Sequence, residues 1–233
     1  MKTNKFRDAD ASTGLSRAVL AILVRLFSKS KIAQRRLEIL VEHVDFLTWV
    51  QHNFPGARFY RTREKLWKQM QYTATEVCGG GWDCYEFGVA HGYLTNKWLE
   101  APSGYIRSWN GFDRFSGLPT NWRDLDEGHF DNEGVPPEIK DKRLCWHVGN
   151  VEETLRSVNL TNNPKILFFD LDLYDPTLFV WNKFKDSLIS QDIIYFDEAF
   201  DGDERKILIE EVLPKLKVKI LGHTPYALAL QIL

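Results

Sequence analysis

The chain has 233 residues, a formal net charge of -2, 44% hydrophobic and 27% charged residues. That length suits one large domain, or one domain with an extension, and is enough to bury a sizeable core. The composition is ordinary for a globular protein. The charge balance gives no dense basic face for nucleic acid. The cysteines Cys78, Cys84 and Cys145 match no zinc spacing and read as reduced thiols of a cytoplasmic protein.

Residues 1–13 are polar, and no signal peptide is expected, since no apolar run is followed by a small-residue cleavage site. Leu15–Phe27 is too short to span a bilayer and is interrupted by Arg17 and Arg25. Lys29, Lys31, Arg35 and Arg36 follow. Residues 15–36 therefore suit either peripheral contact with an anionic membrane or a helix that buries its apolar face in protein, its own or that of a second subunit in a homodimer. Helical spacing continues through Ile39, Leu40, Val44, Leu47 and Val50 to the break at Pro55-Gly56. A second helix is expected over Arg61–Tyr72, before the turn Gly79-Gly80-Gly81. Residues 1–75 thus read as an N-terminal helical extension, and 76–233 as the main domain.

From Asp83 onward strands alternate with helices. Strands are expected at Asp83–Phe87, Ile106–Phe112, Leu144–Val148, Ile166–Asp170 and Asp192–Phe196, with a closing pair at Lys217–Leu221 and Ala227–Leu233. Helices are expected at Tyr93–Glu100, Val151–Val158, Pro176–Leu188 and Glu204–Lys215. The polar segment 114–143 is long for a loop inside a domain, and such loops are often functional. The alternation predicts an α/β fold with a doubly wound, mostly parallel sheet. Ligands of such folds sit at the carboxyl ends of the strands. Gly88, Asp113, Gly149-Asn150, Asp170 and Asp197-Glu198 each follow a predicted strand directly.

The motifs divide by chemistry. Glu86-Phe87-Gly88-Val89-Ala90-His91-Gly92 places glycines after a strand, where backbone can approach a ligand. Its spacing departs from the dinucleotide pattern, and a purely structural turn explains it equally well. Asp113 ends the second strand, where a carboxylate either holds ribose hydroxyls or caps a turn. Asp170-Leu171-Asp172 and Asp197-Glu198 bring four carboxylates to neighbouring strand ends, and strand alternation would send Asp170 and Asp172 to one side. Such a cluster is relieved by a cation, Mg²⁺ for all-oxygen ligands, by shared protons, or by separate roles as cap, solvated acid and ion pair. His91, His129 and His147 lie near the expected mouth but need have no role as proton acceptors.

Taken in order, YEFGVAHG, GFDRFSGLPTNW, GHFDNEGVPP, HVGNVEETL, FFDLDLYDPT and IIYFDEAF, with YRTREKLW upstream, resemble the macrocin O-methyltransferase (TylF-like) family. The resemblance implies a Rossmann-like class I methyltransferase fold with a seven-stranded sheet and S-adenosylmethionine as cofactor. It also implies methylation of a hydroxyl on a sugar, a sugar-containing natural product or a polysaccharide precursor. By the same resemblance, Glu86, Gly88, Val89, Ala90 and Gly92 line the methionine end, Asp113 holds the ribose and Asn150 lies beside the adenine. Asp170, Asp197 and Glu198 hold Mg²⁺, and Asp170 also faces the cofactor and accepts the acceptor's proton. Two positions depart from the family pattern: Glu198 stands where the family often has Asp, and Arg114 where it usually has a small hydroxyl residue. Segment 114–143 is the expected lid, with Trp122, His129 and Phe130 as candidates to meet a sugar. Two readings compete: a metal-dependent glycosyltransferase using Asp170-x-Asp172, and a cofactor-binding protein without turnover.

Overall fold

A computed structural model describes residues 21, 22, 24, 25, 28, 30–78, 81–100 and 105–233. Of the expected membrane-contacting segment 15–36, residues 15–20, 23, 26, 27 and 29 lie outside the described residues. Among them, no helix is long and apolar enough to cross a membrane. The chain divides into two compact units, Met1–Val44 and Asp45–Leu233, at a point inside helix α1 (Lys31–Asn53). Of the first unit, the described part is mainly the opening of α1, where Leu37, Leu40, Val41 and Val44 are exposed.

The second unit is built on a seven-stranded sheet. The strands are β1 (Trp82–Phe87), β2 (Ile106–Asp113), β3 (Leu144–Val148), β4 (Lys165–Phe169), β5 (Ile193–Phe196), β6 (Val218–His223) and β7 (Leu228–Ile232). Their order across the sheet is β3-β2-β1-β4-β5-β7-β6. The first five are parallel, and β7 runs antiparallel to both β5 and β6. Strands β1, β4, β5 and β7 are buried along their whole length, as expected where a sheet is covered on both faces.

Period-2 alternation sorts the core. Tyr85, Phe87, Leu167, Phe169, Ile194 and Phe196 point to one face. There they meet Phe46 and Val50 of α1, Val151 of α4 (Val151–Thr154), Val180, Trp181 and Phe184 of α5 (Tyr174–Phe184), and Ile207 of α6 (Gly202–Ile207). Trp82, Cys84, Ile166, Phe168, Ile193 and Tyr195 point to the other. They meet Leu66, Trp67, Met70 and Ala74 of α2 (Arg63–Cys78) and Leu94, Trp98 and Leu99 of α3 (Tyr93–Leu99).

The helices depart from expectation mainly at their ends. α4 lasts one turn and tightens into a 3₁₀ turn at Leu155–Ser157. α5 starts at Tyr174, with Pro176 inside its first turn, where a missing N–H costs nothing. α6 runs into a π turn at Leu208–Val212, closed by Leu213 N–H donating to the carbonyl of Leu208 at 3.0 Å.

Candidate active site

Strand β1 is followed in the sheet by β2 on one side, and β4 lies on its other side. The loops leaving β1 and β4 therefore diverge, and a crevice opens between them. A cleft of about 700 Å³ lies there, a size that suits a small-molecule site. Five strand ends line it: Gly88–Ala90 after β1, Asp113-Arg114 at β2, Gly149-Asn150 after β3, Asp170–Leu173 after β4 and Asp197-Glu198 after β5.

The turn after β1 is held by Asp113. Its Oδ2 accepts from Val89 N at 2.7 Å and Ala90 N at 2.8 Å, and its Oδ1 from Phe115 N at 2.7 Å. A carboxylate offers about four acceptor positions, so one remains toward a ligand hydroxyl. Gly88 sits at φ 86°, and a Cβ there would stand 1.7 Å from the carbonyl oxygen of Asp170. Glycine is what lets the ends of β1 and β4 touch before their loops part.

Two residues expected in the cofactor site, Glu86 and Gly92, do not line the cleft. Alternation along β1 turns Glu86 to the face of Trp82 and Cys84, which α3 covers. There it is buried and accepts from Trp109 Nε1 at 2.8 Å and from the Thr95 hydroxyl. Burial pushes its carboxyl up to about 8. Gly92, at φ 73°, is the N-cap of α3, and a Cβ there would come within 2.8 Å of Pro137 Cγ.

The acidic mouth is present but assembled differently from the expected metal site. Strand β4 ends at Phe169, so alternation does not extend to Asp170 and Asp172; Asp172 lies at φ 63°, yet both line the cleft. Asp197 is buried and accepts from the Tyr195 hydroxyl at 2.5 Å. Arg63, in the first turn of α2, places Nη2 at 2.5 Å from Asp197 Oδ2 and 2.9 Å from Glu198 Oε1. Its guanidinium also lies 4.5 Å from the centre of the Tyr226 ring. Beneath the mouth, the fully buried Glu204 accepts from Leu171 N and Glu198 N, both at 3.1 Å, tying together the loops after β4 and β5. Burial, followed by the neighbouring charge of Asp197, raises Asp170 well above the carboxylate range and Asp172 to about 7.

Asp170, Asp197 and Glu198 were the expected Mg²⁺ ligands. Mg²⁺ requires near-octahedral oxygen ligands at about 2.0–2.1 Å. Here the guanidinium of Arg63 already spans Asp197 and Glu198. Among the described residues, no three His, Cys, Asp or Glu side chains are grouped to hold a metal ion. The residues present do not fit the ion.

Segment 114–143 folds back on itself. Leu118 N donates to His129 O at 2.9 Å, and Asn132 N and Gly134 N both donate to Phe115 O at 2.8 Å. Arg123 fastens it to the far side of the mouth: Nε donates to Asp201 Oδ2 at 2.5 Å, and the guanidinium lies 4.7 Å from the Phe200 ring centre. Leu118, Pro119, Trp122 and Phe130 line the cleft, whereas His91, His129 and His147 do not. His147 instead stacks on Phe112, 4.2 Å between ring centres, and faces Asn110 Oδ1 at 3.1 Å.

No protein-family model and no curated protein sequence matches the chain. Solved structures do. A structure of CalS11, a calicheamicin methyltransferase, superimposes with a TM-score of 0.54 at 19% identity, over 99% of each chain. The O-methyltransferase NovP gives 0.53 at 14% identity, over 72% of this chain and 79% of its own. The chain has the class I methyltransferase fold. Its cleft is at the switch point of that fold, where Gly88, Val89, Ala90, Asp113, Asn150, Asp170, Asp197 and Glu198 converge, joined by Arg63, Glu152, Glu153 and Arg156, which the sequence did not single out.

Proposed function

We propose that the chain is an S-adenosylmethionine-dependent O-methyltransferase acting on a hydroxyl of a sugar or a sugar-containing natural product or polysaccharide precursor. One observation carries the reading: a single cleft joins a glycine turn braced by Asp113, which keeps one acceptor position to spare, and the carboxylates Asp170 and Asp172. The names of CalS11 and NovP agree with it.

In this reading Gly88, Val89 and Ala90 pass the cofactor along open backbone, Asp113 takes a ribose hydroxyl and Asn150 faces the adenine. Bound S-adenosylmethionine supplies a methyl group on a sulfonium, an electrophile the protein need not build. The chain must orient the acceptor oxygen and remove its proton. Asp170 is the base: its carboxylate takes the hydroxyl proton as the oxygen gains the methyl group and the cofactor leaves as the neutral thioether. Leu118, Pro119, Trp122 and Phe130 offer the apolar faces a sugar ring can lie against. No step passes through Mg²⁺.

Calorimetric titration with S-adenosylhomocysteine tests the reading, with micromolar affinity expected. Asp170→Asn should abolish turnover and leave that affinity within about threefold. Absence of binding would sink the proposal, and binding lost with Asp170→Asn would remove Asp170 from the role of base.

A further inference from the structure

The mouth of the cleft carries a cation of its own. Asp197 and Glu198 are adjacent, sit at the end of β5 and are largely withdrawn from solvent, their side chains 4% and 16% exposed. Two carboxylates so placed repel each other unless a positive charge stands between them. One nitrogen, Nη2 of Arg63, lies within 2.9 Å of an oxygen of each. The guanidinium is held from several directions. Its Cα belongs to the first turn of α2, its Cζ lies 4.5 Å from the centre of the Tyr226 ring, and Asp197 is itself fixed by the Tyr195 hydroxyl. Arg63 also lines the cleft, so its charge faces whatever binds there.

We propose that Arg63 is the resident cation of this site, standing where a divalent ion would otherwise bridge Asp197 and Glu198, so that the protein works without a divalent metal. A guanidinium keeps its charge at every relevant pH and cannot be removed by a chelator. It neutralises the acid pair and leaves Asp170, which makes no ion pair with it, as the carboxylate that meets the acceptor hydroxyl. A guanidinium also brings its donors in one fixed plane, whereas an ion would bring its own water molecules.

The consequence for turnover rests on the methyl-transfer reading, but the assignment of the cation does not, and Mn²⁺ binding tests it separately. Wild-type protein stripped with chelator is titrated with Mn²⁺, and the free ion is followed by its electron paramagnetic resonance signal. No saturable binding is expected up to about 1 mM, well above what a built carboxylate site needs. Arg63→Met, checked for folding by circular dichroism, removes the charge and frees both carboxylates. It should gain one Mn²⁺ site at least about tenfold tighter than any wild-type binding. Stoichiometric micromolar binding to the wild type overturns the proposal, as does a folded Arg63→Met protein that binds no better. Should that variant fail to fold, the wild-type titration decides alone. Failure of the methyl-transfer reading would appear elsewhere, as absent S-adenosylhomocysteine binding with the Mn²⁺ result unchanged.

Discussion

The α-carbon of Gly88 lies so close to Asp170 that a single added methyl group would stand 1.7 Å from the Asp170 carbonyl oxygen. The opposing atom is backbone, anchored by the Asp170 N–H donating to Phe87 O at 2.9 Å, so it cannot swing aside. Gly88 also sits at φ 86°. Gly88→Ala should therefore yield little folded protein, or lower the melting temperature by more than about 10 °C, at roughly 2–4 °C per kcal/mol for a domain of this size. Gly128→Ala is the control. Gly128 has φ 81° with nothing near its would-be Cβ, so only the left-handed backbone penalty of about 1–2 kcal/mol applies. Thermal denaturation of both variants separates collision from strain.

Burial of Glu86 makes stability depend on pH. Its carboxyl is held at about 8 in the folded chain against an ordinary 4.5. The folded state thus keeps a proton that the unfolded state releases. The associated stability is complete below about pH 4.5 and is lost as pH rises through about 8. Glu86→Gln keeps an acceptor for Trp109 Nε1 and carries no charge. It should match the wild type near pH 5 and exceed it near pH 8.5 by on the order of 3 kcal/mol, or several degrees in melting temperature. Equal melting temperatures of the two proteins at both pH values would show that Glu86 titrates normally.

One side chain of segment 114–143 reaches the far side of the mouth. Arg123 joins segment 114–143 to Asp201, whose other oxygen accepts from Asp203 N at 2.9 Å as the N-cap of α6. Arg123→Ala releases the segment without disturbing that cap. A protease that cuts after aromatic residues should attack at Trp122 or Phe130 at least about tenfold faster in the variant. S-adenosylhomocysteine affinity should change less than threefold, and the acceptor KM should rise about tenfold. Unchanged proteolysis would mean that the segment's internal hydrogen bonds hold it without Arg123.

Much of this architecture is legible in the sequence because its signals are local. An apolar run that ends in a polar residue marks a strand end, and by that signal Gly88, Asp113, Asn150, Asp170 and Asp197-Glu198 are neighbours at one edge of the sheet. What escaped was non-local or concealed by context. Arg63 lies 135 residues from Glu198 and reads as an ordinary charge in a helical first turn. Glu204 stands in an acidic stretch that looks like a solvated helix face, yet it is fully buried because two loop amides need an acceptor beneath them. Glu86 misleads in the opposite way: an acid two residues before a glycine turn suggests a ligand, but the period of the strand sends it into the core. The expected metal site failed for the same reason that Arg63 was missed. Four carboxylates in sequence call for a cation, and the sequence does not say which element supplies it.

Asp113 supports the turn after β1 through two amides and its own loop through a third, and its substitution separates that role from the chemistry of Asp170. Asparagine has one carbonyl oxygen and one NH₂ group. If its oxygen faces Val89 N and Ala90 N, its NH₂ confronts Phe115 N; if it is flipped, the NH₂ confronts two amides. Either orientation sets donor against donor, which costs about 1–3 kcal/mol for each amide left unsatisfied. Asp113→Asn should therefore lower the melting temperature by several degrees and weaken S-adenosylhomocysteine binding at least about tenfold, because the turn that receives the ligand is no longer held. Asp170→Asn should do neither, while eliminating turnover. Calorimetry on the two variants side by side reads the difference. If Asp113→Asn binds like the wild type, the glycine turn is held by its own backbone and the ribose contact lies elsewhere.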